Sequence, residues 1–473
     1  MIRARFAPSP TGYLHIGSAR TFIFNWLYVR KHNGVLVLRI DDTDVERNTE
    51  ASLNSIYEGL NWLALGWDEF YRQSERLHLH RKLALDLLAK GLAYRDFTPA
   101  AADLEDRPYS EESWLCNPEM RALSEEESSA RAAAGEPFAI RFRVGRDPSR
   151  EVSFHDEVYG PQSKMTADIE DFALLRSNGM PTYHLSSCAD DIDLGITNII
   201  RGQDHLTNTF KHVLIFEAAG APLPSFAHLP LLIAPDGSKL SKRKHGPVVS
   251  VLTYRDNGFL PLAFINFLCL LGWSPKDNRE QMTLEELRAA FSLEGVNRSN
   301  AVVNFSDADP IDPKALWLNA QHLRSMPVPE LAPLARRVLE EHGLAPYGDE
   351  AFFEHVVGVL RSRFSTLLDF TTKGLPYFAD HFPIEKPALD KLNAPGAREL
   401  LRELANRLEA DPEFTESSVE ANLRKLAEER GVKAGLLINA ARAALTGQAV
   451  GPGVFAVFAC IGRERTIQRL RNV

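Results

Sequence analysis

The sequence predicts an α/β protein built on a parallel sheet and continued by an all-helical region. Three observations carry this expectation. A short apolar strand runs through a Pro/Gly turn into a long apolar-faced helix, and a continuously apolar strand follows that helix, which together define a βαβ unit. Beyond residue 320 the pattern changes to Leu, Ala, Glu and Arg broken by Pro and Gly, as in packed helices.

Taken in order, residues 2–7 alternate as a strand, residues 15–31 form the helix, and Val35-Leu36-Val37-Leu38-Arg39-Ile40 is the buried strand, ending at Asp41-Asp42-Thr43-Asp44. Right-handed βαβ units carry their ligands at the carboxyl ends of the strands, so Arg5 to Gly12 and Asp41 to Asp44 fall on one rim. Helices follow near 51–63 and 75–90. Residues 98–136 are rich in Ala, Glu and Ser, and 138–144 and 151–159 read as strands, so this stretch is an insertion. The sheet pattern resumes around Tyr183, passes through Ile196 to Gly202, and enters a helix over 206–219. A basic loop, Pro235 to Gly246, precedes largely helical sequence, and there is no internal repeat or low-complexity tract.

A chain of 473 residues holds two to four domains at about 150 residues each, and 44% apolar with 25% charged residues is ordinary globular usage. No apolar run approaches the roughly 20 residues of a membrane span, and no secretory segment precedes the first strand, so a cytoplasmic protein is expected. Cys116, Cys188, Cys269 and Cys460 are too scattered for a disulfide framework or a zinc cluster. The net charge of −9 argues against indiscriminate nucleic-acid coating, yet Arg430 to Val473 carries seven basic residues against one acid, a net +6. Either a docked polyanion or a solvated basic helix face accounts for that excess.

Two segments carry chemistry. In Arg5-Phe6-Ala7-Pro8-Ser9-Pro10-Thr11-Gly12-Tyr13-Leu14-His15-Ile16-Gly17 the strand-turn-helix aims the unpaired N–H groups of a helix N-terminus at the turn, a place for the phosphates of a nucleotide. His15 adds a proton donor there, and Gly17 clears a side chain where adenine would lie. In Lys239-Leu240-Ser241-Lys242-Arg243 flanking glycines let a cationic loop close on phosphate charge that grows as pyrophosphate leaves. Alone, that loop reads first as basic surface, which short Lys/Arg clusters usually are.

Together, the His-x-Gly turn and the Lys-x-Ser-Lys loop resemble the HIGH and KMSKS signatures of class I aminoacyl-tRNA synthetases. Arg5 to Gly12, Arg39 to Asp44, Tyr71-Arg72-Gln73-Ser74, Pro181-Thr182-Tyr183-His184 and Arg201-Gly202-Gln203-Asp204-His205 narrow the resemblance to bacterial glutamyl-tRNA synthetases, over essentially the whole chain. The resemblance implies a Rossmann-like catalytic domain split over 1–95 and 185–255, an α+β acceptor-binding insertion over 96–184, a stem-contact connecting region over 256–320, and a helical anticodon-binding region over 321–473. It implies ATP, escorted by Mg²⁺, as the activating substrate, with glutamate and tRNA(Glu) as partners of a monomer. His15, Lys239 and Lys242 match the catalytic positions; Pro10, Gly12, His15, Gly17 and Lys242 the ATP site; and Arg5, Ala7, Ser9, Asp41, Tyr183 and Arg201 the glutamate site. An Arg fork reads a carboxylate in two parallel bonds and offers only donors, so it would meet a glutamine amide N–H against N–H.

The chain departs from the pattern at several points. Ser18 stands for the final His of the first signature and Arg243 for the final Ser of the second; Asp41 stands where Glu is usual, Ser187 falls at a variable pocket position, and the lone Cys116 leaves no zinc cluster. In the C-terminal third, Arg363 within Leu360-Arg361-Ser362-Arg363-Phe364 and Arg442 within Ala441 to Gly447 match anticodon-reading positions. Splayed anticodon bases suit such readers. Three alternatives stay open at this point: a glutaminyl-tRNA synthetase, which usually carries a C-terminal β-barrel; a tRNA-modifying relative without an anticodon region, disfavoured by length; and a non-catalytic tRNA-binding paralogue.

Overall fold

The computed structural model describes residues 1–43, 48–99, 115–306 and 309–473; Asp44 lies outside them. Two compact units result, Met1–Thr253 with Ile265–Asp312, and Tyr254–Phe264 with Pro313–Val473.

The first unit is wound on a parallel sheet. Its elements run β1 (Arg3–Phe6), α1 (Ile16–Lys31), β2 (Val35–Ile40), α2 (Glu50–Leu63), β3 (Glu69–Arg72), α3 (Leu77–Ala89), β4 (Ala93–Asp96), α4 (Pro118–Ala122), α5 (Glu125–Ala133), β5 (Ala139–Phe142), β6 (Glu151–Asp156), β7 (Gly160–Met165), β8 (Ala173–Leu175), α6 (Tyr183–Asp193), β9 (Asn198–Gly202), α7 (Asn208–Ala219), β10 (Ser225–Leu229) and α8 (Lys242–His245). The main sheet has the order β3-β2-β1-β9-β10-β6-β7, and every neighbouring pair is parallel except β6 with β7. The chain leaves β1 for β2 on one side and returns as β9 on the other. That reversal opens a crevice at the carboxyl ends of β1 and β9, where an open parallel sheet receives its ligand.

Burial on both faces explains why β2 reads as an unbroken apolar run: five of its six residues are buried. The α1 face of Phe22, Ile23, Phe24 and Leu27 has no exposed surface, and each such side chain stabilises the fold by about 1.5–3 kcal/mol. The insertion is α+β, as expected, with a separate antiparallel sheet β4-β5-β8 beside α4 and α5. Its hairpin β6–β7 does something the residue pattern does not announce. Phe226 of β10 pairs with Asp156 of β6, so the hairpin extends the main sheet.

The second unit is helical, from Pro313–Ser325 to Arg463–Arg471, and no strand follows Ala301–Val302 among the described residues. Helix Ala397–Ala410 shows how its core forms: Leu400, Leu401, Leu404 and Leu408 fall on one buried stripe at helical spacing. A helical C-terminal region runs against the β-barrel of the glutaminyl alternative. Among the described residues no helix is long and apolar enough to cross a membrane.

Candidate active site

A cleft of about 490 Å³ opens at the crevice between β1 and β9. Arg5, Ala7, Ser9, His15, Gly17, Asp41, Tyr183, Arg201, Lys239 and Lys242 all line it. Pro10 and Gly12 do not. Pro10 is buried behind the turn, whereas Gly12, at φ 135°, lies so close to the basic loop that a Cβ there would be 3.0 Å from Lys242 Nζ.

His15 is the N-cap of α1. Its Nδ1 accepts the Gly17 N–H at 2.9 Å, so the ring proton resides on Nε2, which is buried and has no hydrogen-bond partner. Burial, helped by the charges of Lys242, Lys239 and His245, pushes the His15 pKa down to about 4. The ring is therefore a neutral donor in the lining of the cleft, at the positive end of a helix. Gly17 keeps it there, since a Cβ would come within 3.1 Å of His15 Nδ1.

The basic segment is more ordered than a free loop. Ser241 caps the four-residue helix α8, so Lys242 occupies the head of that helix. Lys242 Nζ lies 4.9 Å from the centre of the Tyr13 ring, and burial lowers its pKa. Lys239 Nζ is 2.8 Å from Asp204 Oδ2, and Lys244 bonds Asp236 at 2.5 Å and the Ser238 hydroxyl at 2.7 Å.

Opposite lies a buried chain of alternating charges. Arg5 Nε donates to Asp191 Oδ1 at 3.1 Å, and Arg39 Nη1 donates to the same oxygen at 2.8 Å. Arg39 then grips Asp41, Nε to Oδ1 at 2.7 Å and Nη2 to Oδ2 at 3.1 Å. Burial works against the charge on Arg39, but Asp41, Asp191 and Asp190 outweigh it and hold its pKa well above the ordinary value. Burial pushes the Asp41 carboxyl up despite the Arg39 charge beside it. Asp190 in turn accepts from Gln73, Arg76 and His80 at 2.8–3.0 Å, which pins α6 to the segment after β3.

Arg201 is held by neutral groups. Nε donates to His228 Nε2 at 3.1 Å, Nη1 to the Tyr183 hydroxyl at 3.1 Å, and Nη2 to Thr209 Oγ1 at 2.7 Å. Burial lowers the pKa of Arg201 and raises that of Tyr183. The cleft thus brings together an imidazole and two ammonium groups (His15, Lys239, Lys242) with two guanidiniums, Arg5 and Arg201, and one carboxylate, Asp41.

In the helical unit Arg363 is exposed after helix Glu350–Leu360, and Arg442 of helix Ala434–Thr446 bonds the Pro452 carbonyl. Burial lowers the Arg442 pKa and the Arg363 charge adds to it, so the two guanidiniums lie near one another. The basic tail, however, spends most of its charge inside the unit. Arg430 pairs with Glu403 and Arg471 with Glu409, Arg463 bonds the carbonyls of Leu408 and Glu409, and Arg465 and Arg469 both bond that of Ala379. Arg430 and Arg471 are exposed ion pairs, as a solvated face has, whereas Arg463, Arg465 and Arg469 clamp carbonyls, which counting charges along a sequence does not reveal.

The model for "tRNA synthetases class I (E and Q), catalytic domain" matches residues 1–309, and that for "Anticodon binding domain" matches 330–473. The chain belongs to this class I synthetase family, whose members use ATP. It is 55% identical to a glutamate–tRNA ligase of Solibacter usitatus, covering 99% of this chain and 98% of that one, and 45% identical to glutamate–tRNA ligase 2 of Koribacter versatilis, covering 100% and 97%. A crystal structure of a glutamate tRNA ligase from Elizabethkingia meningosepticum in complex with its amino acid superposes with a TM-score of 0.87 at 30% identity, covering 100% of this chain and 98% of that one.

Proposed function

We propose that the chain is a glutamate–tRNA ligase: it activates glutamate with ATP and transfers it to the 3′-terminal adenosine of tRNA(Glu). The observation that carries the amino-acid half is the alternating chain Arg5–Asp191–Arg39–Asp41, whose two ends both line the cleft. Arg5 has Nη groups left for an anion, and Asp41 has lone pairs left for a cation. A zwitterionic amino acid closes that chain, and Arg201 supplies the third charge that a second substrate carboxylate requires. Ala7, Ser9 and Tyr183 complete this end of the cleft.

The α-carboxylate of glutamate attacks the α-phosphorus of ATP in line, the bond to the bridging oxygen breaks, and pyrophosphate leaves. The His15 Nε2–H and the N-terminus of α1 meet the phosphates, and Lys242 and Lys239 neutralise the charge that grows on the leaving group. The tRNA 3′-terminal ribose hydroxyl then attacks the adenylate carbonyl and AMP departs. No covalent enzyme intermediate is required, so positioning and charge stabilisation carry the rate. Magnesium travels on the ATP phosphates.

The division inferred from the sequence goes with this reading: catalytic parts over 1–95 and 185–255, an acceptor-binding insertion over 96–184, a connecting region over 256–320, and anticodon reading by Arg363 and Arg442 in 321–473. The protein acts as a cytoplasmic monomer. Charging purified tRNA(Glu) and tRNA(Gln) side by side with glutamate or glutamine tests the proposal. Glutamate transfer to tRNA(Glu) is expected, and transfer of glutamine in preference to glutamate overturns it.

A further inference from the structure

The two guanidiniums that face the cleft are held in opposite ways. Behind Arg5 stands a carboxylate, Asp191. Behind Arg201 stands an imidazole, and the carboxylate is one ring further back. Arg201 Nε donates to His228 Nε2 at 3.1 Å, and His228 Nδ1 donates to Asp156 Oδ2 at 2.6 Å. The three residues lie on neighbouring parallel strands: His228 of β10 is the register partner of Arg201 of β9, and Asp156 of β6, in register with Phe226, reaches His228 from the next strand. His228 and Asp156 are 0% exposed and Arg201 6%.

We propose that the His228–Asp156 pair is a positioning device for Arg201, holding its guanidinium in the wall of the cleft with no carboxylate on it, so that its charge stays uncancelled. The proposal rests on the assignment of Arg201 to glutamate binding made above. His228 accepts from Arg201 only while its ring proton is on Nδ1, and Asp156 fixes the proton there. Asp156 is itself fixed by the backbone N–H groups of Val158 at 3.0 Å and Tyr159 at 2.9 Å. The other acceptors around Arg201 are Tyr183, His212, the His205 carbonyl and Thr209, none of them a carboxylate. A glutamate in place of His228 would put a carboxylate where Nε2 stands, pair with Arg201 directly and compete with the substrate for it. An imidazole gives the same orientation and leaves the charge for a ligand.

Two substitutions separate positioning from mere stapling of the sheet. His228→Gln puts an amide oxygen where Nε2 stood, keeping the acceptor for Arg201 and losing Asp156. His228→Asn reaches Asp156 and falls short of Arg201. In tRNA charging at saturating ATP and tRNA, His228→Asn is expected to raise KM for glutamate by about tenfold to hundredfold, the loss of one hydrogen bond to a charged group. KM for ATP is expected to stay within about twofold, and His228→Gln to stay within about threefold of the parent for glutamate, since the acceptor remains. Arg201→Gln serves as the control. If it raises KM for glutamate while the two His228 variants match each other, or while His228→Asn is the milder, the positioning role is wrong and the assignment of Arg201 stands. If Arg201→Gln leaves KM for glutamate unchanged, the assignment itself fails and the proposal with it.

Discussion

His15→Asn isolates one hydrogen bond of the proposed reaction. In the parent, Nδ1 caps α1 through the Gly17 N–H while Nε2 is buried with no partner in a residue that lines the cleft, so the proposed reaction gives the ring two separable jobs. Asn is among the best N-caps, and its Oδ1 stands close to where Nδ1 was, so the cap survives with a stability change of about 0.5 kcal/mol or less. What disappears is the donor to the phosphates. A pre-organised donor aimed at developing charge is worth about 2.7–4 kcal/mol, so adenylate formation should fall about 10²–10³-fold. His15→Ala should show the same kinetic loss and, in addition, about 1 kcal/mol of lost capping. The measurement is single-turnover formation of glutamyl-adenylate with tRNA supplied, with thermal unfolding followed in parallel. Because the parent ring is neutral, with a pKa near 4, its titration leaves no step in the rate at neutral pH. An Asn variant that keeps more than about a tenth of the parental rate would show that Nε2 is not a transition-state donor.

Two further outcomes follow from the same geometry. Burial places the pKa values of His15, His184, His205 and His322 near 4, against 6.5 for the unfolded chain, so below about pH 6.5 the unfolded state takes up protons that the folded state refuses. Stability is therefore complete above that pH and is lost as pH falls toward 4: the melting temperature should drop between about pH 7 and pH 5 with proton uptake on unfolding, and a flat or rising profile refutes the neutral-histidine assignment. Arg363→Gln should narrow the preference for tRNA(Glu) over tRNA(Gln) by about tenfold to hundredfold in side-by-side charging, as for the loss of one base-reading arginine; an unchanged ratio removes Arg363 from anticodon reading.

What the sequence makes legible is local. β1, α1 and β2 follow from apolar periodicity over a few residues, and His15 heads its helix because strand, turn and helix adjoin in the chain. The strand β7, Gly-Pro-Gln-Ser-Lys-Met, has no apolar alternation, because it is an edge strand held by backbone pairing to β6. The partners behind Arg5 and Arg201 are invisible for a different reason. Arg5 meets Asp191 across 186 positions and Asp156 meets His228 across 72, so no spacing rule links them. The only trace is an unusual density of acids, Asp190, Asp191 and Asp193, in a helix otherwise lined by Leu, Ser and Cys, where a buried carboxylate requires a buried cation.

That long-range pairing also accounts for the departure at Asp41. A carboxylate one methylene shorter than the family's usual Glu reaches less far into the cleft, yet Arg39 holds both of its oxygens from behind and is itself held by Asp191. The alternating chain therefore fixes Asp41 as firmly as it fixes Arg5. The two ends are anchored on the sheet, Arg5 on β1 and Arg39 on β2, with Asp41 just past the end of β2. In the proposed function, a shorter acid at position 41 shifts where the substrate's ammonium group rests without loosening Arg5. In the proposed function, selection for glutamate rests also on residues behind the cleft: Asp191 for Arg5, and His228 with Asp156 for Arg201.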